Sequence, residues 1–295
     1  HATAQNEHPN IVFILADDLG YGDTQCYNNH SKIPTPHIDR LAKEGVLFTN
    51  AHSGTALCTP SRYSIVTGWY SWRSKLKKGV IFDYSSPLID KDLPTVATFL
   101  KQNGYNTAAI GKWHLGFDWK TTDGKYTPFQ VSSLQIRNID FNRAFEDCPL
   151  DHGFDYYFGI PGSNDMGPYL YIENRKVVGN PIIWATKENF PLMRGKRETW
   201  MTPGYRLCKL DSVFTEKAKA FIQNQDQGTP FFMYFCASAP HFPFDVPHYA
   251  RGKSKAGNRG DMVYVFDHIV GELVNLLKGK GLYENTIIIV TSDNG

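Results

Sequence analysis

Long apolar runs are missing from this chain of 295 residues. No stretch approaches the ~20 consecutive apolar residues that a membrane-spanning helix needs. Charge of one sign is missing too: 31 Lys and Arg against 29 Asp and Glu leave a net +2, too little to imply a nucleic-acid partner. Cysteine is scarce. Setting Cys58 aside, Cys26, Cys148, Cys208 and Cys236 show no metal-binding spacing; Cys236 reads as a core residue, and a Cys148 to Cys208 bridge stays open. No secretory leader opens the sequence, and residues 1–7 read as a mature terminus or an expression remnant. Internal repeats and low-complexity linkers are absent. What remains is 41% hydrophobic and 14% aromatic, enough for a sizeable core in one large α/β domain or two small ones.

The run from Asn10 to Ala16 is continuously apolar and ends at Asp17-Asp18, as a buried parallel strand does. Thr35-Pro36 opens a helix to Glu44, closed by Gly45. Val46 to Ala51 reads as a second strand, feeding a turn at Cys58 and a helix that stops at Thr67-Gly68. Arg73 to Lys78 is a basic loop. A helix from Leu93-Pro94 to Gly104 precedes a strand from Tyr105 to Ile110, which runs into Gly111-Lys112-Trp113-His114. Alternation fades between Phe117 and Pro203, where only a hairpin of Tyr169–Glu173 with Lys176–Val178 stands out. It returns with a helix from Leu210 to Gln223, a strand from Phe231 to Ala237, a helix from Met262 to Lys278 and a strand from Thr286 to Thr291. That helix puts Val263, Phe266, Ile269, Val270, Leu273 and Leu277 on one face. The pattern predicts an α/β fold with a mostly parallel central sheet and helices on both faces.

In such sheets ligands bind beyond the carboxyl ends of the strands. Asp17-Asp18, Lys112 to His114, His241 and Asp293-Asn294 all follow strands, so the topology gathers them at one rim. Each alone could be a turn or cap; together they predict a site. Asp17, Asp18, Asp293 and Asn294 offer only oxygen ligands, which suit calcium or magnesium and not zinc. Arg62, Lys112, His114 and His241 bring cationic or proton-transferring groups to the same place.

Cys58-Thr59-Pro60-Ser61-Arg62 is the other focus. With Pro60 at the first helical position, Cys58 would lie at a helix mouth that favours an anion, and Arg62 would aim its fork of donors there. Two readings stay open from these residues: a nucleophile in an anion-binding nest, or a buried structural cysteine.

Cys-x-Pro-x-Arg followed by Thr67-Gly68 resembles the signature of the type I sulfatases, members of the alkaline-phosphatase-like superfamily. Matching elements run from Asn10 to Gly295. The resemblance implies that Cys58 is oxidised to formylglycine by a dedicated maturation enzyme, a formylglycine-generating or cysteine-oxidising one. It implies a calcium ion held by Asp17, Asp18, Asp293 and Asn294, completed by the hydroxyl at position 58 and the sulfate. Arg62 and Lys112 would neutralise sulfate oxygens, with Trp113 beside them at the substrate. His241 would be the acid for the leaving alcohol or a sulfate donor, and His114 the base that regenerates the aldehyde. Family members continue beyond the position of Gly295 with a further sulfate-binding lysine and a smaller domain. Residues 1–295 therefore read as an N-terminal catalytic domain, carrying an irregular insertion over about 117–203. A periplasmic or secreted location follows from the same likeness.

Other readings compete. A phosphodiesterase or phosphonate monoester hydrolase shares the superfamily, and a non-catalytic protein could bind sulfated glycans. The insertion also suggests a substrate. Trp119, Tyr126, Phe129, Tyr156, Tyr157, Tyr169, Tyr171, Trp184 and Trp200 could stack on sugars. Arg137, Arg143, Arg175, Lys176, Lys187, Arg194, Lys196 and Arg197 could pair with further sulfates. The expected substrate is a multiply sulfated glycan, either an algal galactan such as carrageenan or an animal glycosaminoglycan, with no nucleic acid and no membrane involved.

Overall fold

The computed structural model describes residues 8–193, 197–226 and 228–295. Its strands are β1 (Asn10–Ala16), β2 (Asn106–Lys112), β3 (Tyr156–Ile160), β4 (Tyr171–Glu173), β5 (Lys176–Val178), β6 (Ile183–Ala185), β7 (Thr199–Met201), β8 (Phe231–Cys236) and β9 (Thr286–Ser292). The helices of at least seven residues are α1 (Pro36–Glu44), α2 (Cys58–Thr67), α3 (Val96–Gln102), α4 (Leu210–Gln223) and α5 (Gly257–Gly279). Seven strands form one sheet in the order β5-β4-β3-β2-β8-β1-β9. From β3 to β9 neighbours are parallel, while β4 and β5 add an antiparallel hairpin at one edge. The sheet is mixed, as the pattern predicted.

The period of two along each strand divides the core between the two faces. On β8, Phe231, Met233 and Phe235 face one cluster with Phe214, Ala218 and Ile222 of α4 and Phe266, Ile269 and Leu273 of α5. Phe232, Tyr234 and Cys236 face the other, with Tyr63 and Val66 of α2 and Ala97 and Leu100 of α3. The six residues assigned to the apolar face of α5 are all buried. Helices therefore cover both faces, and the carboxyl ends of β1, β2, β3, β8 and β9 share one rim.

Two expectations fail. Val46 to Ala51 forms no strand: Val46 and Phe48 are exposed and the stretch has no ladder partner in the sheet. The segment 117–203 is also less irregular than its sequence suggests. β3 lies inside it and pairs with β2 in register from Ala108 opposite Tyr156 to Lys112 opposite Ile160. Many of its aromatics are core. Phe117, Trp119 and Tyr157 fill the second cluster and Tyr169 the first. All five cysteines are free, so Cys148 and Cys208 form no bridge.

Gly111 shows why the rim has its sequence. Its φ is +110°, and a Cβ there would come within 1.8 Å of the Cys236 carbonyl oxygen. Only glycine lets β2 approach β8 this closely while turning Lys112 inward.

Candidate active site

Cys58 is the first residue of α2, after Leu57 as its N-cap, so Pro60 sits third and not first. The cysteine is buried and flanked by opposed charges. Burial, with Asp17 and Asp293 adding to it and Lys112 and Arg62 opposing it, pushes its thiol up to about 12. At neutral pH the group is a thiol, which argues against a thiolate nucleophile. Arg62, one turn on, is fully buried. Its Nε donates to Asp293 Oδ2 at 3.0 Å, and its Nη1 donates to the Lys112 carbonyl at 3.0 Å. Nη2 reaches Asp293 Oδ2 at 2.8 Å and Asp17 Oδ1 at 3.3 Å. One guanidinium thus ties α2 to the ends of β1, β2 and β9.

Lys112 closes β2 and turns its Nζ onto both oxygens of Asp17, at 2.8 and 2.7 Å. Burial alone would raise the Asp17 carboxyl, but Lys112, His241 and Arg62 together hold it well below the usual range. Asp293 goes the other way: burial, with Asp17 beside it, lifts it to about 6 despite Arg62. Two carboxylates so close repel until a positive charge separates them.

Asp18 has φ +65° and is only partly buried. Its Oδ1 accepts from Asn294 Nδ2, and its Oδ2 lies 3.5 Å from His241 Nε2. Asn294 Oδ1 is buried with no partner. Ligand atoms of Asp17, Asp18, Cys58 and His241 all lie within 4.8 Å of one another. An orphaned carbonyl oxygen beside carboxylates fits a hard cation, and Asp17, Asp18 and Asn294 are the oxygen donors that would hold it. Asp293 stands beside this group, with Oδ2 held by Arg62 and Oδ1 accepting the Asp18 N–H at 3.2 Å, and His241 joins the residues expected from the sequence.

His241 is set by its loop. Its Nδ1 faces the Phe242 carbonyl, and its Nε2 is 3.4 Å from Ser163 Oγ. Ser163 also accepts from Lys112 Nζ at 3.3 Å, and Asn164 Nδ2 donates to the His241 carbonyl at 3.2 Å. Sequence reasoning missed both Ser163 and Asn164, which follow β3. The signal was present in Pro161 to Asp165, a turn-rich stretch after the apolar run Tyr156–Ile160, but it was absorbed into the insertion. His114 is fully buried with φ +58°. Its Nε2 sits 3.1 Å from the Ile81 carbonyl, which fixes the proton there and leaves Nδ1, without a partner, as a lone pair. Burial first, then Lys112 and Arg62, keeps this imidazole neutral, well below its usual range.

Trp113 does not reach this site. It is buried on the opposite face, donates to the Gly116 carbonyl at 3.2 Å and packs edge-on against Phe154. Alternation along β2 sends Lys112 to the rim and Trp113 into the core.

The sulfatase family model matches residues 9–295. The chain belongs to the sulfatase family. It is 38% identical to the N-acetylgalactosamine-6-O-sulfatase of Bacteroides thetaiotaomicron, over 98% of this chain and 59% of that protein. It is 31% identical to the mouse N-acetylgalactosamine-6-sulfatase, over 100% of this chain and 52% of that one. A solved Bacteroides thetaiotaomicron structure, reported with the metabolism of multiple glycosaminoglycans, superposes with a TM-score of 0.83. It is 35% identical and matches 98% of this chain and 63% of that one. The chain spans just over half the length of the curated sulfatases it matches. Its sheet is that of the alkaline-phosphatase-like sulfatases. No helix among the described residues is long and apolar enough to cross a membrane.

The proposed sugar platform contracts in the fold. Trp119, Tyr157 and Tyr169 are core, and Tyr156 and Tyr171 pack on the sheet. Arg143 pairs with Glu146 at 2.8 Å, and Arg175 grips Asp151 with two bonds of 2.8 Å. Arg194 and Lys196 lie outside the described residues. Lys176 is exposed on β5, Lys187 Nζ donates to the Pro191 carbonyl at 3.1 Å, and Tyr126 is taken by Lys120 and Glu146. Among the described residues Lys75 of the basic loop lies over Phe129 at 5.2 Å, and a larger group holds together: Arg137 lies over Trp184 at 4.6 Å, Trp184 meets Trp200 edge-on at 5.2 Å, and Trp200 Nε1 donates to the Arg137 carbonyl at 2.7 Å.

Proposed function

We propose that this chain is the catalytic part of a carbohydrate sulfatase, with residues 1–295 as its N-terminal catalytic domain. The observation that carries the reading is the convergence of Asp17, Asp18, Cys58, Arg62, Lys112, Ser163 and His241 around one buried point at the sheet rim. A binding module has no need of that set. Cys58, once converted to formylglycine by a maturation enzyme, would supply a hydrated aldehyde whose hydroxyl attacks sulfur, and a calcium ion would neutralise charge on it.

The chain's own residues divide the remaining work. Lys112 and Arg62 hold fixed positive charge where sulfate oxygens gather negative charge, the kind of preorganised donor worth ~3–4 kcal/mol of barrier each. Ser163 Oγ, between Lys112 and His241, can hold a sulfate oxygen as its hydroxyl turns. His241, with Nδ1 toward the Phe242 carbonyl, presents Nε2 to the leaving alcohol. The neutral His114, with a lone pair on Nδ1, suits the base that removes the second hydroxyl proton.

The names of its relatives favour the 6-sulfate of a galacto-configured sugar, so N-acetylgalactosamine 6-sulfate in a glycosaminoglycan is the first candidate. A sulfated galactan such as carrageenan is the second. Both are polyanionic polymers, and an extracytoplasmic place of action fits them.

Sulfate release from 6-sulfated N-acetylgalactosamine oligosaccharides by the matured protein tests the reading. A protein carrying formylglycine that releases phosphate from diesters or phosphonates but no sulfate would replace it with a phosphodiesterase or phosphonate hydrolase. The mass of the tryptic peptide spanning position 58 tests the modification separately.

A further inference from the structure

Arg259 stands in the first turn of α5, at the end of a helix that disfavours positive charge. It carries no acidic neighbour in that turn to offset this. A residue that breaks a local rule usually serves something elsewhere, and its contacts say what. Nη1 and Nη2 grip the two oxygens of Asp23 at 2.8 and 2.7 Å, and Nη2 also donates to the Asp18 carbonyl at 3.1 Å. Asp23 Oδ2 in turn accepts the Gly20 N–H at 2.8 Å. The contacts close a ring that runs from Arg259 through Asp23 and Gly20 back to Asp18. A Cβ at Gly20 would meet Asp23 Oδ2 at 3.1 Å, so a side chain there would press on the Asp23 carboxylate.

The ring encloses an awkward residue. Asp18 is not glycine, yet it holds φ +65°, a conformation that costs energy and persists only when its surroundings enforce it. Its N–H donates to Asp293 Oδ1 at 3.2 Å, and the next N–H, of Leu19, donates to Ser292 Oγ at 2.9 Å. These anchors hold the N–H groups on both sides of the Asp18 peptide carbonyl. Arg259 takes the carbonyl itself, and it does so from α5, a long helix fixed in the core through Phe266, Ile269 and Leu273.

We propose that Arg259, through Asp23, is a positioning residue for the metal centre: it locks Asp18 in the left-handed conformation that aims its carboxylate at Asp17, Asn294 and His241. The assignment rests on the cation reading above. A guanidinium suits the place better than an ammonium, because its planar fork gives each Asp23 oxygen a separate nitrogen and leaves an N–H for the Asp18 carbonyl.

The test is calcium affinity of the purified protein, by calorimetry and by terbium luminescence, for wild type, Arg259→Gln, Arg259→Lys and Asp23→Asn. Melting temperature in chelator is recorded for each. Arg259→Gln and Asp23→Asn are expected to weaken calcium binding by about 10- to 100-fold, as removal of groups that orient metal ligands does. Arg259→Lys should fall between them and wild type, and the double variant should lose no more than either single one. Activity lost at low calcium should return as calcium is raised. Wild-type affinity in a folded Arg259→Gln or Asp23→Asn protein overturns the clamp and leaves the metal reading standing. A wild-type protein that binds neither calcium nor terbium overturns the metal reading, and the clamp with it.

Discussion

Arg62 and Asp293 lie 231 positions apart in sequence, yet they share two contacts, at 3.0 and 2.8 Å, with both side chains fully buried. The pair joins the start of α2 to the end of β9, and the second cation, Lys112, braces Asp17 beside it. A buried charge network of this kind is worth little while complete and costs a great deal when half removed. Arg62→Ala should therefore destabilise the fold by about 3–5 kcal/mol, read from urea unfolding. A loss under about 1 kcal/mol would mean that the network costs no more to break than an exposed ion pair.

Cys58→Ala removes the atom that maturation acts on. The expected outcome is a loss in turnover of at least roughly 10⁴-fold, with binding of a sulfated ligand largely retained, since Arg62 and Lys112 remain. Cys58→Ser should be nearly as inactive, trapping at most a sulfated protein. Normal turnover in either variant, followed by sulfate release, would exclude position 58 from the chemistry.

Chelation should abolish sulfate release, and calcium should restore it, because Asp17, Asp18 and Asn294 offer hard oxygen atoms. His241 in the same group is a softer donor, and the one that remains once Cys58 is converted. Restoration by zinc and not by calcium would show that the imidazole, and not the carboxylates, sets the preference.

Much of this was legible because parallel sheets leave a strong imprint. β1, α4, β8, α5 and β9 are apolar runs or amphipathic helices with clear stops, and the carboxyl ends of the strands mark the rim in the sequence itself. What escaped was local. Trp113 looked like a site residue because it stands between Lys112 and His114, but a strand sends neighbours to opposite faces. Val46 to Ala51 has strand composition without a partner strand. β3 was hidden because Tyr156–Ile160 is short and lies among aromatics that turned out to be core, and Ser163 was hidden with it. Arg259 could not be read at all, since its partner Asp23 is 236 positions away.

Asp267 carries a pH prediction away from the site. From α5 its Oδ1 accepts the N–H groups of His37 and Ile38 at 3.0 and 2.9 Å, at the start of α1, while its Oδ2 is buried without a partner. Burial, with Asp39 adding to it, raises this carboxyl from 3.8 to about 7. A folded value above the unfolded one means the folded state binds the proton more tightly. The contribution is fully present below pH ~4 and is lost as pH rises through about 7. Asp267→Asn should flatten the fall in stability between pH 5 and 8, measured by urea midpoints, while Asp267→Ala should cost about 1 kcal/mol from the lost cap. An unchanged slope in Asp267→Asn would show that another group titrates there.

The last prediction concerns the substrate. If the polymer matters, the surviving platform of Arg137, Trp184 and Trp200 should contribute to binding at a distance from the bond that breaks. Arg137 already lies over Trp184, so a sugar ring could stack on Trp200 or on the far face of Trp184 while the guanidinium meets a neighbouring sulfate. Exposed contacts of this kind are worth about 0.5–1 kcal/mol each. Arg137→Ala with Trp184→Ala should therefore raise KM for sulfated oligosaccharides by roughly three- to thirtyfold. Neither residue belongs to the set that converges on Cys58, so kcat, and KM for a small aryl sulfate, should stay as they are. Raised salt should weaken the oligosaccharide more than the aryl sulfate in the wild type, and that difference should shrink in the double variant, because screening acts on the charges the variant lacks. Equal behaviour of the two substrates, in both proteins and at both salt concentrations, would remove the platform from the account and leave specificity to the rim alone.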